Sequence, residues 1–344
     1  MVFFQKPFII PFFLPHQGCP VRCVYCNQHR SGGRRDEPLT PEAVGRGIDA
    51  GLSSPRLRPG ARVEVAFYGG VFTSLPRDRQ AGLLEAAGPY LRKNLVQGLR
   101  LSTRPDAVDA DRIGFLRDRG VETIELGAQS FDDEVLRASG RGHSARDTRE
   151  AAARIKAAGL RLGLQLLPGL PGETPASRGL TLAATLEIAP HEARIYPLVV
   201  IEGSALADLY HAGLFRPWDL DEAVTVCAGL LASLTAAGVN VIRVGLQTSP
   251  ELEKSLAAGP HHPAFGELVK SEVFFLALRR ALDGPAGDLG PVVMVAPGDL
   301  SQALGQRRRN VARLNRPGLE IKPKEGLERG FFEISGRTFS IYEA

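Results

Sequence analysis

The sequence predicts an α/β fold organised around a parallel sheet, and three observations support this prediction. Short β-rich runs alternate with helical patterns through the first 200 residues, which is typical of parallel strands joined by helices. Gly120 and Gly159 follow two of the helical patterns as stop signals. The chain has 344 residues, of which 44% are hydrophobic, enough for a large core. The alternation indicates an α/β barrel or a doubly wound sheet.

The first six strands are each defined by a short β-rich run. The first lies in an apolar stretch interrupted by Lys6, Pro7 and Pro11, with no small-residue cleavage site after it, so we expect a buried strand rather than a secretory signal. The predicted strands are Phe8–Leu14, Arg62–Tyr68, Leu99–Thr103, Glu122–Gly127, Leu160–Leu167 and Ala193–Val200. The predicted helices between them are Pro41–Leu52, Arg77–Arg92, Asp106–Arg119 and Ala145–Ala158.

After residue 200 the pattern continues and then changes. A helix at Leu220–Ala237 and a seventh strand candidate at Val239–Leu246 precede the Gly/Pro-rich stretch 284–291, where we place a boundary near residue 288. We expect a barrel unit at residues 1–250, a connecting segment at 251–288 and a small α+β module at 289–344. The module's predicted elements are a strand at Pro291–Ala296, a helix at Asp299–Leu314, a strand at Leu319–Pro323, and a hairpin at Phe331–Tyr342 turning at Gly336.

Positive charge is concentrated near the C-terminus. The net charge is +4, yet the window Gly305–Lys324 alone carries seven cations and one acid, leaving −2 for the rest of the chain. Such a local excess points to a patch that faces a polyanion. The alternative is a solvated surface helix, because the chain favours arginine over lysine throughout. No apolar run is long enough to span a membrane, and we expect a cytoplasmic protein.

Three of the four cysteines form a C-x3-C-x2-C run directly after the first strand. Cys19, Cys23 and Cys26 place three soft thiolates on one loop, which suits an iron–sulfur cluster or a zinc ion. A closed zinc site needs a fourth ligand, which His16 or His29 could supply. Cys227 lies in an apolar helical pattern and is expected to be a core residue.

Other polar motifs also follow strands, where α/β barrels carry their chemistry. Tyr68-Gly69-Gly70-Val71-Phe72-Thr73 ends the second strand, and paired glycines allow a close approach between backbone and ligand. Polar residues at a barrel mouth indicate a small polar ligand. The remaining motifs are Ser102-Thr-Arg-Pro-Asp106, Glu125-Leu-Gly-Ala-Gln-Ser130, Ser139-Gly-Arg-Gly-His143 and Gln165-Leu-Leu-Pro-Gly-Leu-Pro-Gly-Glu-Thr174.

Together these motifs resemble the radical S-adenosylmethionine (radical SAM) superfamily, in its elongator catalytic-subunit-like branch, over residues 8–250. The resemblance implies a partial (β/α)6 barrel in which Cys19, Cys23 and Cys26 hold a 4Fe-4S cluster whose open iron binds S-adenosylmethionine (SAM). It implies an electron donor such as flavodoxin or ferredoxin, and a 5′-deoxyadenosyl radical that abstracts hydrogen from the substrate. By motif, the residues implied to contact SAM are Tyr25, Gly69, Gly70, Thr73, Ser102, Gln129, Arg141 and Gln165.

The chain differs from the elongator subunit in two respects. That subunit has a longer first cysteine spacing, and it carries an acetyltransferase domain for which the residues after 288 are too few. The C-terminal segment instead resembles the core of a KH RNA-binding module, whose Gly-x-x-Gly loop clamps an RNA backbone. Here the loop reads Gly305-Gln306-Arg307-Arg308, with an arginine in place of the second glycine. The predicted RNA contacts are Gly305, Arg307, Arg308, Arg309 and Arg313.

The sequence therefore favours a radical SAM enzyme that modifies an RNA, most specifically a tRNA nucleotide. One alternative is a radical SAM enzyme on a small molecule such as a porphyrinogen, with the basic tail a solvated surface. A third interpretation is an RNA-binding protein with a structural zinc ion. His261 and His262 form a further pair that either contacts substrate or lies in a loop without a role.

Overall fold

A sheet of seven parallel strands forms the larger part of the molecule. In the computed structural model, which describes residues 7–31, 38–284 and 290–343, the first six strands follow chain order and β8 completes the sheet beside β6. Parallel strands in chain order, with helices between them, confirm the predicted partial barrel. Its strands are β1 (Phe8–Leu14), β2 (Val63–Gly69), β3 (Gly98–Thr103), β4 (Val121–Gln129), β5 (Arg161–Leu166), β6 (Glu192–Ile195) and β8 (Asn240–Val244), with β7 (Val200–Ile201) and β9 (Leu256–Ala258) forming a separate antiparallel pair.

The helices begin where the sequence supplies caps. Thr40, Asp109, Ser144 and Thr174 each accept a backbone N–H at a helix start, which satisfies a donor that the helix itself leaves free. The helices of the barrel and of the segment after it are α1 (Gln28–Ser31), α2 (Pro41–Leu52), α3 (Arg77–Glu85), α4 (Gly88–Arg92), α5 (Ala110–Arg117), α6 (Asp133–Ala138), α7 (Ala145–Ala157), α8 (Pro175–Ile188), α9 (Ala205–His211), α10 (Leu220–Ala236), α11 (Pro250–Ser255) and α12 (Phe265–Asp283).

Alternate residues of the sheet face two different environments. On β2, Val63, Val65 and Phe67 are buried in the apolar core between sheet and helices. The intervening residue Glu64 is also buried, but it forms an ion pair with Arg100 of β3, so it faces the inside of the curved sheet. The period of two along each strand thus separates an apolar outer face from a charged inner one.

Three predicted elements of the barrel are shorter or divided in the structure. The sixth strand ends at Ile195 rather than Val200, because Pro197 has no N–H for a sheet hydrogen bond, and Val200–Ile201 pairs elsewhere. The predicted helix Arg77–Arg92 is divided into α3 and α4 just before Pro89. The predicted helix Asp106–Arg119 begins only at Ala110, where Asp109 caps it.

The C-terminal module is a four-stranded mixed sheet with two short helices. The predicted hairpin is confirmed, and its turn has positive φ at Ser335 and Gly336, the geometry of a tight hairpin turn. The predicted helix Asp299–Leu314 is wrong as one element, because Gly305, Arg307 and Arg308 all have positive φ and interrupt it. The module's elements are β10 (Val292–Val295), α13 (Leu300–Leu304), α14 (Arg309–Leu314), β11 (Glu320–Pro323), β12 (Phe331–Ile334) and β13 (Arg337–Ser340).

The module shares a hydrophobic core with the last helices of the barrel side. Val293, Phe332 and Ile334 belong to the same buried cluster as residues of α10 and α12. The predicted connecting segment 251–288 therefore consists largely of a structural helix, α12, that packs on both units. The predicted boundary near residue 288 lies outside the described residues, as do residues 1–6 of the predicted N-terminal strand region.

Within the described residues, no helix is both long and apolar enough to cross a membrane.

Candidate functional site

The cysteine loop and the paired-glycine loop are joined backbone to backbone at the carboxyl ends of β1 and β2. The Gly70 N–H donates to the Leu14 carbonyl at 2.8 Å, and the Val71 N–H donates to the Gln17 carbonyl at 2.8 Å. A Cβ on Gly70 would lie 2.0 Å from the Gln17 oxygen, and one on Gly18 would lie 2.3 Å from the Val71 oxygen. Both glycines are required for this approach, so Gly70 shapes the cysteine loop as well as any ligand surface.

Gln28, which follows Cys26, holds the C-terminal end of the cysteine loop by hydrogen bonds. Its side-chain amide donates to the Gly69 carbonyl at 2.7 Å, and its side-chain oxygen accepts the His16 N–H at 2.6 Å. The Gln28 N–H in turn donates to Nε2 of His16 at 2.9 Å. His16 is therefore committed to holding the loop, which leaves it unsuited to the role of fourth zinc ligand.

The three loop cysteines lie close enough to influence each other's ionisation. Burial raises the pKa of Cys26 to about 12, and the neighbouring Cys23 and Cys19 act in the same direction. Burial also raises the pKa of Cys19, followed by the effect of Cys23. Thiols held this way need a strong Lewis acid to become thiolates. Cys227 is fully buried in α10, as predicted for a core residue.

The loop's donor set fits a multi-iron cluster. Within the described residues, no group of three or more His, Cys, Asp or Glu side chains is arranged to hold a single metal ion. In a four-iron cubane each thiolate binds a different iron, so three cysteines need not converge on one point. The three half-buried thiols, on a loop fixed by Gln28 and Gly70, provide three such positions.

Arg141 reaches this loop from the segment between α6 and α7. Its guanidinium donates to the Cys23 sulfur at 3.2 Å and to the Tyr25 hydroxyl at 3.5 Å, while Nη2 donates to the Gly127 carbonyl. The side chain is buried, and its Nε has no hydrogen-bond partner among the described residues. Burial raises the pKa of Tyr25, so its hydroxyl stays protonated beside the thiols. The structure thus brings the predicted SAM residue Arg141 against a second one, Tyr25, which lies on the cysteine loop itself.

Two predicted SAM residues are held by other side chains in this structure. The Thr73 hydroxyl pairs with that of Thr103 at 2.6 Å inside the core, so it does not face the mouth. The Gln165 amide donates to Glu125 at 3.0 Å, which commits it to a charged network beneath the mouth. Ser102 is buried at the end of β3 opposite Glu125.

Gln129 has a strained backbone at the end of β4. Its φ is +68°, a value that a residue with a side chain seldom adopts, and the β4–β5 register shifts next to it. Its main-chain carbonyl accepts the Leu167 N–H at 3.0 Å, which holds the strain in place. Such strain at a strand end supports the prediction that Gln129 contacts a ligand.

Arg104 and His143 also lie at this end of the barrel and were not singled out from the sequence. Arg104 is buried, with a bidentate pair to Asp106 and one nitrogen, Nη1, without a hydrogen-bond partner among the described residues. Burial and the nearby Arg141 and Arg104 lower the pKa of His143 to about 4, so this side chain is neutral. The signal for Arg104 was present in the Ser102–Asp106 motif, where a cation follows a strand.

The predicted RNA loop projects between α13 and α14. A Cβ on Gly305 would lie 2.9 Å from Cγ of Asn310, so glycine is needed for the turn. Asn310 is buried and donates to the carbonyls of Ser271, Gln302 and Ala303, which anchors the loop against α12. Arg307 and Arg308 are exposed, and no ion pair to either is found in the described parts of the chain.

The other five cations of the basic window each pair with an acid. Arg309 forms a bidentate pair with Asp221 of α10 at 2.8 and 3.0 Å, and Arg313 pairs with the buried Glu272 of α12. Arg313 also covers the Phe275 ring at 3.6 Å from its centroid. The prediction that Arg309 and Arg313 face phosphates therefore needs correction: both attach the module to the helices. Further pairs are Arg316–Asp283, Lys322–Glu320 and Lys324–Glu333.

The paired histidines lie near that interface. His262 lines a cavity of about 120 Å³ together with Asp221, Glu272 and Arg309, and its Nδ1 accepts the Ala264 N–H at 3.0 Å. His261 lies in the same loop. Among the described residues, no contact joins His261 or His262 to the cysteine loop. The structure therefore gives no support to the prediction that the pair contacts substrate at that loop.

Comparison with known families covers most of the chain in two parts. Residues 13–183 match the Radical SAM superfamily, and residues 190–274 match the Radical_SAM C-terminal domain. The first match contains the cysteine loop, the paired glycines and Arg141. The second contains β6, α10 and the first half of α12.

Several curated proteins are similar to parts of the chain. A tRNA uridine(34) acetyltransferase of Methanocaldococcus infernus is 34% identical over 39% of this chain and 26% of its own length. One from Dehalococcoides mccartyi is 27% identical over 66% of this chain and 55% of its own length. The archaeal Elp3 structure from Methanocaldococcus infernus superposes with a TM-score of 0.60 at 21% identity, over 77% of this chain and 62% of that one. The chain thus spans between a quarter and somewhat over half of these relatives.

Proposed function

The chain belongs to the radical SAM superfamily, whose enzymes use a 4Fe-4S cluster and SAM, and we propose that this enzyme modifies an RNA, most specifically a nucleotide of tRNA. A 4Fe-4S cluster held by Cys19, Cys23 and Cys26 would supply the electron for reductive cleavage of SAM to methionine and a 5′-deoxyadenosyl radical. This membership replaces the interpretation of the chain as a non-catalytic RNA-binding protein with a structural zinc ion.

The chain's own residues bind and orient the cofactors. Cys19, Cys23 and Cys26 provide the thiolates, and the loop that carries them is held by Gln28 and by the backbone bonds to Gly70 and Val71. The Arg141 guanidinium donates a hydrogen bond to the Cys23 sulfur at 3.2 Å, which holds that sulfur in position on the loop. For SAM, we propose contacts from Tyr25, Gly69, Gly70, Gln129 and Arg141 at the mouth, and from Ser102 and Gln165 at its inner edge.

The observation that carries the RNA proposal is the exposed Arg307–Arg308 loop. Two adjacent arginines with left-handed backbone lie in the exposed turn between α13 and α14, and no ion pair within the described residues neutralises either of them. Guanidinium groups presented this way suit successive phosphates of a single strand. The relatives named tRNA uridine(34) acetyltransferase agree with an RNA substrate.

The position of this loop supports the proposal further. Arg309 fixes the loop to Asp221 in the first turn of α10. In a parallel α/β barrel, helices start at the end where the preceding strands finish, which is also the end that carries the cysteine loop. RNA held at Arg307 and Arg308 would therefore lie on the same side of the barrel as the proposed SAM site.

The alternative substrate is a small molecule such as a porphyrinogen. The ion pairs of Arg309, Arg313 and Arg316 favour this alternative. With these cations paired, the C-terminal module would serve only to stabilise α10 and α12, and no RNA would be needed. The electron donor, flavodoxin or ferredoxin, remains a prediction in either case.

RNA binding by the intact protein separates these two functions. We expect the anaerobically isolated protein to bind a tRNA pool at low salt, with an affinity that falls as salt rises. Sequencing the RNA that co-purifies with the protein would identify the substrate. Absence of RNA binding at low salt would leave the small-molecule function as the better explanation.

A further inference from the structure

A buried ion pair lies inside the barrel, directly beneath the proposed SAM site. Arg194 of β6 holds Glu125 of β4 with two hydrogen bonds, from Nε to Oε2 at 2.7 Å and from Nη2 to Oε1 at 3.0 Å. Their side chains are only 10% and 1% exposed. Burying two charges costs much of what their attraction returns, so stability alone is a weak reason for placing such a pair here.

The Glu125 carboxylate connects the two sides of the proposed SAM surface. Its Oε1 accepts the Tyr68 hydroxyl at 3.0 Å, and its Oε2 accepts the Gln165 amide at 3.0 Å. Tyr68 immediately precedes Gly69 on β2, and Gln165 lies across the barrel on β5. One carboxylate thus forms hydrogen bonds with both sides of this surface. We call the side on β2 the Tyr68–Gly70 wall and the side on β5 the Gln165 wall.

Arg194 reinforces the same connection. Its Nη2 also donates to the Tyr68 hydroxyl at 2.7 Å, and its guanidinium covers the Tyr68 ring at 5.2 Å from the centroid. Nη1 lies 3.5 Å from the Tyr196 hydroxyl. The planar fork of arginine satisfies the carboxylate and the tyrosine together, which a lysine cannot do.

Neighbouring arginines keep the Glu125 carboxylate ionised, and a neighbouring glycine leaves room for its side chain. Complete burial alone would raise the pKa of Glu125, but Arg194 and then Arg100 lower it below its ordinary value. A Cβ on Gly163 would come within 2.9 Å of Cγ of Glu125, so glycine at that position leaves room for the side chain. The carboxylate is therefore a charged acceptor with a fixed position.

We propose that Glu125 and Arg194 are a positioning pair for SAM, which sets the separation and orientation of the Tyr68–Gly70 wall and the Gln165 wall from inside the barrel. The inference rests on the proposed SAM site at those walls. The pair itself does not touch the reacting atoms. It acts through Tyr68 and Gln165.

The test measures SAM binding by equilibrium dialysis of anaerobic, cluster-loaded protein, with each dissociation constant corrected for iron content. Glu125→Gln removes the charge and leaves Arg194 without its carboxylate, so we expect the affinity for SAM to fall at least about tenfold. Because the single variant can lose stability, the double variant Glu125→Gln/Arg194→Met is measured as well. It removes both charges together, and it should fold more stably than Glu125→Gln while still binding SAM weakly.

The matched control is Glu192→Gln. Glu192 is a buried carboxylate in the same interior, paired with Arg100 and with Arg161 at 3.2 Å. It is linked to Glu125 only through Arg100, whose Nη1 lies 3.4 Å from Oε1 of Glu125, and no bond joins it to Tyr68 or Gln165 among the described residues. We expect its substitution to lower stability and to leave SAM affinity within about twofold of wild type.

Two results would overturn the positioning role: normal SAM binding by Glu125→Gln or by the double variant, or an equal loss of binding in Glu192→Gln. Failure of the cluster-loaded wild type to bind SAM would instead overturn the proposed SAM site itself.

Discussion

At the barrel mouth, backbone hydrogen bonds and glycines join the cysteine loop to the paired-glycine loop, whereas arginine side chains join the C-terminal module to the barrel side. The first junction includes the Gly70–Leu14 bond at 2.8 Å and leaves no space for a Cβ. The second junction includes Arg309–Asp221 and Arg313–Glu272 around a shared apolar core. Substitutions at the mouth should therefore act on the whole site, and substitutions in the module should have graded effects.

The largest effect is expected at the cysteines. Cys23→Ala removes one of three thiolates and should abolish retention of the cluster, because two protein ligands leave two irons open. The measurement is iron and sulfide content after anaerobic reconstitution. Cys227→Ala is the control and should retain the cluster, since this thiol is buried in α10. A cluster retained by Cys23→Ala would remove the basis for the site.

The second effect concerns the backbone junction at Gly70. Even alanine there would place a Cβ 2.0 Å from the Gln17 oxygen, so Gly70→Ala should displace the cysteine loop and reduce both cluster content and SAM binding. Gly114→Ala in α5 is a matched change with open space around it, and it should stabilise the helix by about 0.5–1 kcal/mol. If Gly70→Ala kept a normal cluster content, the two loops would be less tightly coupled than their backbone hydrogen bonds indicate.

A third, smaller effect is expected where the module meets α12. Arg313→Met leaves the buried Glu272 without its cation and should lower the free energy of unfolding by about 3 kcal/mol. Arg309→Met breaks an exposed pair and should cost less than about 1 kcal/mol. Urea denaturation of the two variants compares these values directly. Equal costs would mean that burial does not distinguish the two pairs.

The smallest effect on stability is expected at the loop proposed to bind RNA. Replacing Arg307 and Arg308 with Gln should change the free energy of unfolding by less than about 0.5 kcal/mol, because both side chains are exposed. The slope of log affinity for single-stranded RNA against log salt should flatten by about 1.4, at roughly 0.7 for each phosphate that the variant no longer neutralises. The same slope in wild type and variant would exclude phosphate binding by this loop.

The sequence predicted the strands of the barrel and the location of the cysteine loop well, because both depend on local patterns. Phe8–Leu14 is a strand as predicted, and Cys19, Cys23 and Cys26 follow it on one loop. The end of the sixth strand before Pro197 could have been predicted, because proline has no N–H to donate to a neighbouring strand.

The ion pairs inside the barrel and those of the C-terminal basic window could not be predicted from local patterns. The local pattern around Glu125 or Arg194 does not indicate a partner, because only the curvature of the sheet brings together residues 69 positions apart. Arg309 and Asp221 are 88 positions apart, so the basic window looked unpaired in the sequence. Charges at alternate positions of several strands were the signal that could have indicated a polar interior.

Release of 5′-deoxyadenosine tests most directly whether this radical SAM enzyme acts on RNA. Anaerobic, cluster-loaded protein is reduced with dithionite and given SAM, with or without a tRNA pool. We predict slow release without RNA and a marked increase when tRNA is added, which the Arg307→Gln/Arg308→Gln variant should lose at moderate salt. Release that is unchanged by tRNA but increased by a porphyrinogen would contradict action on RNA.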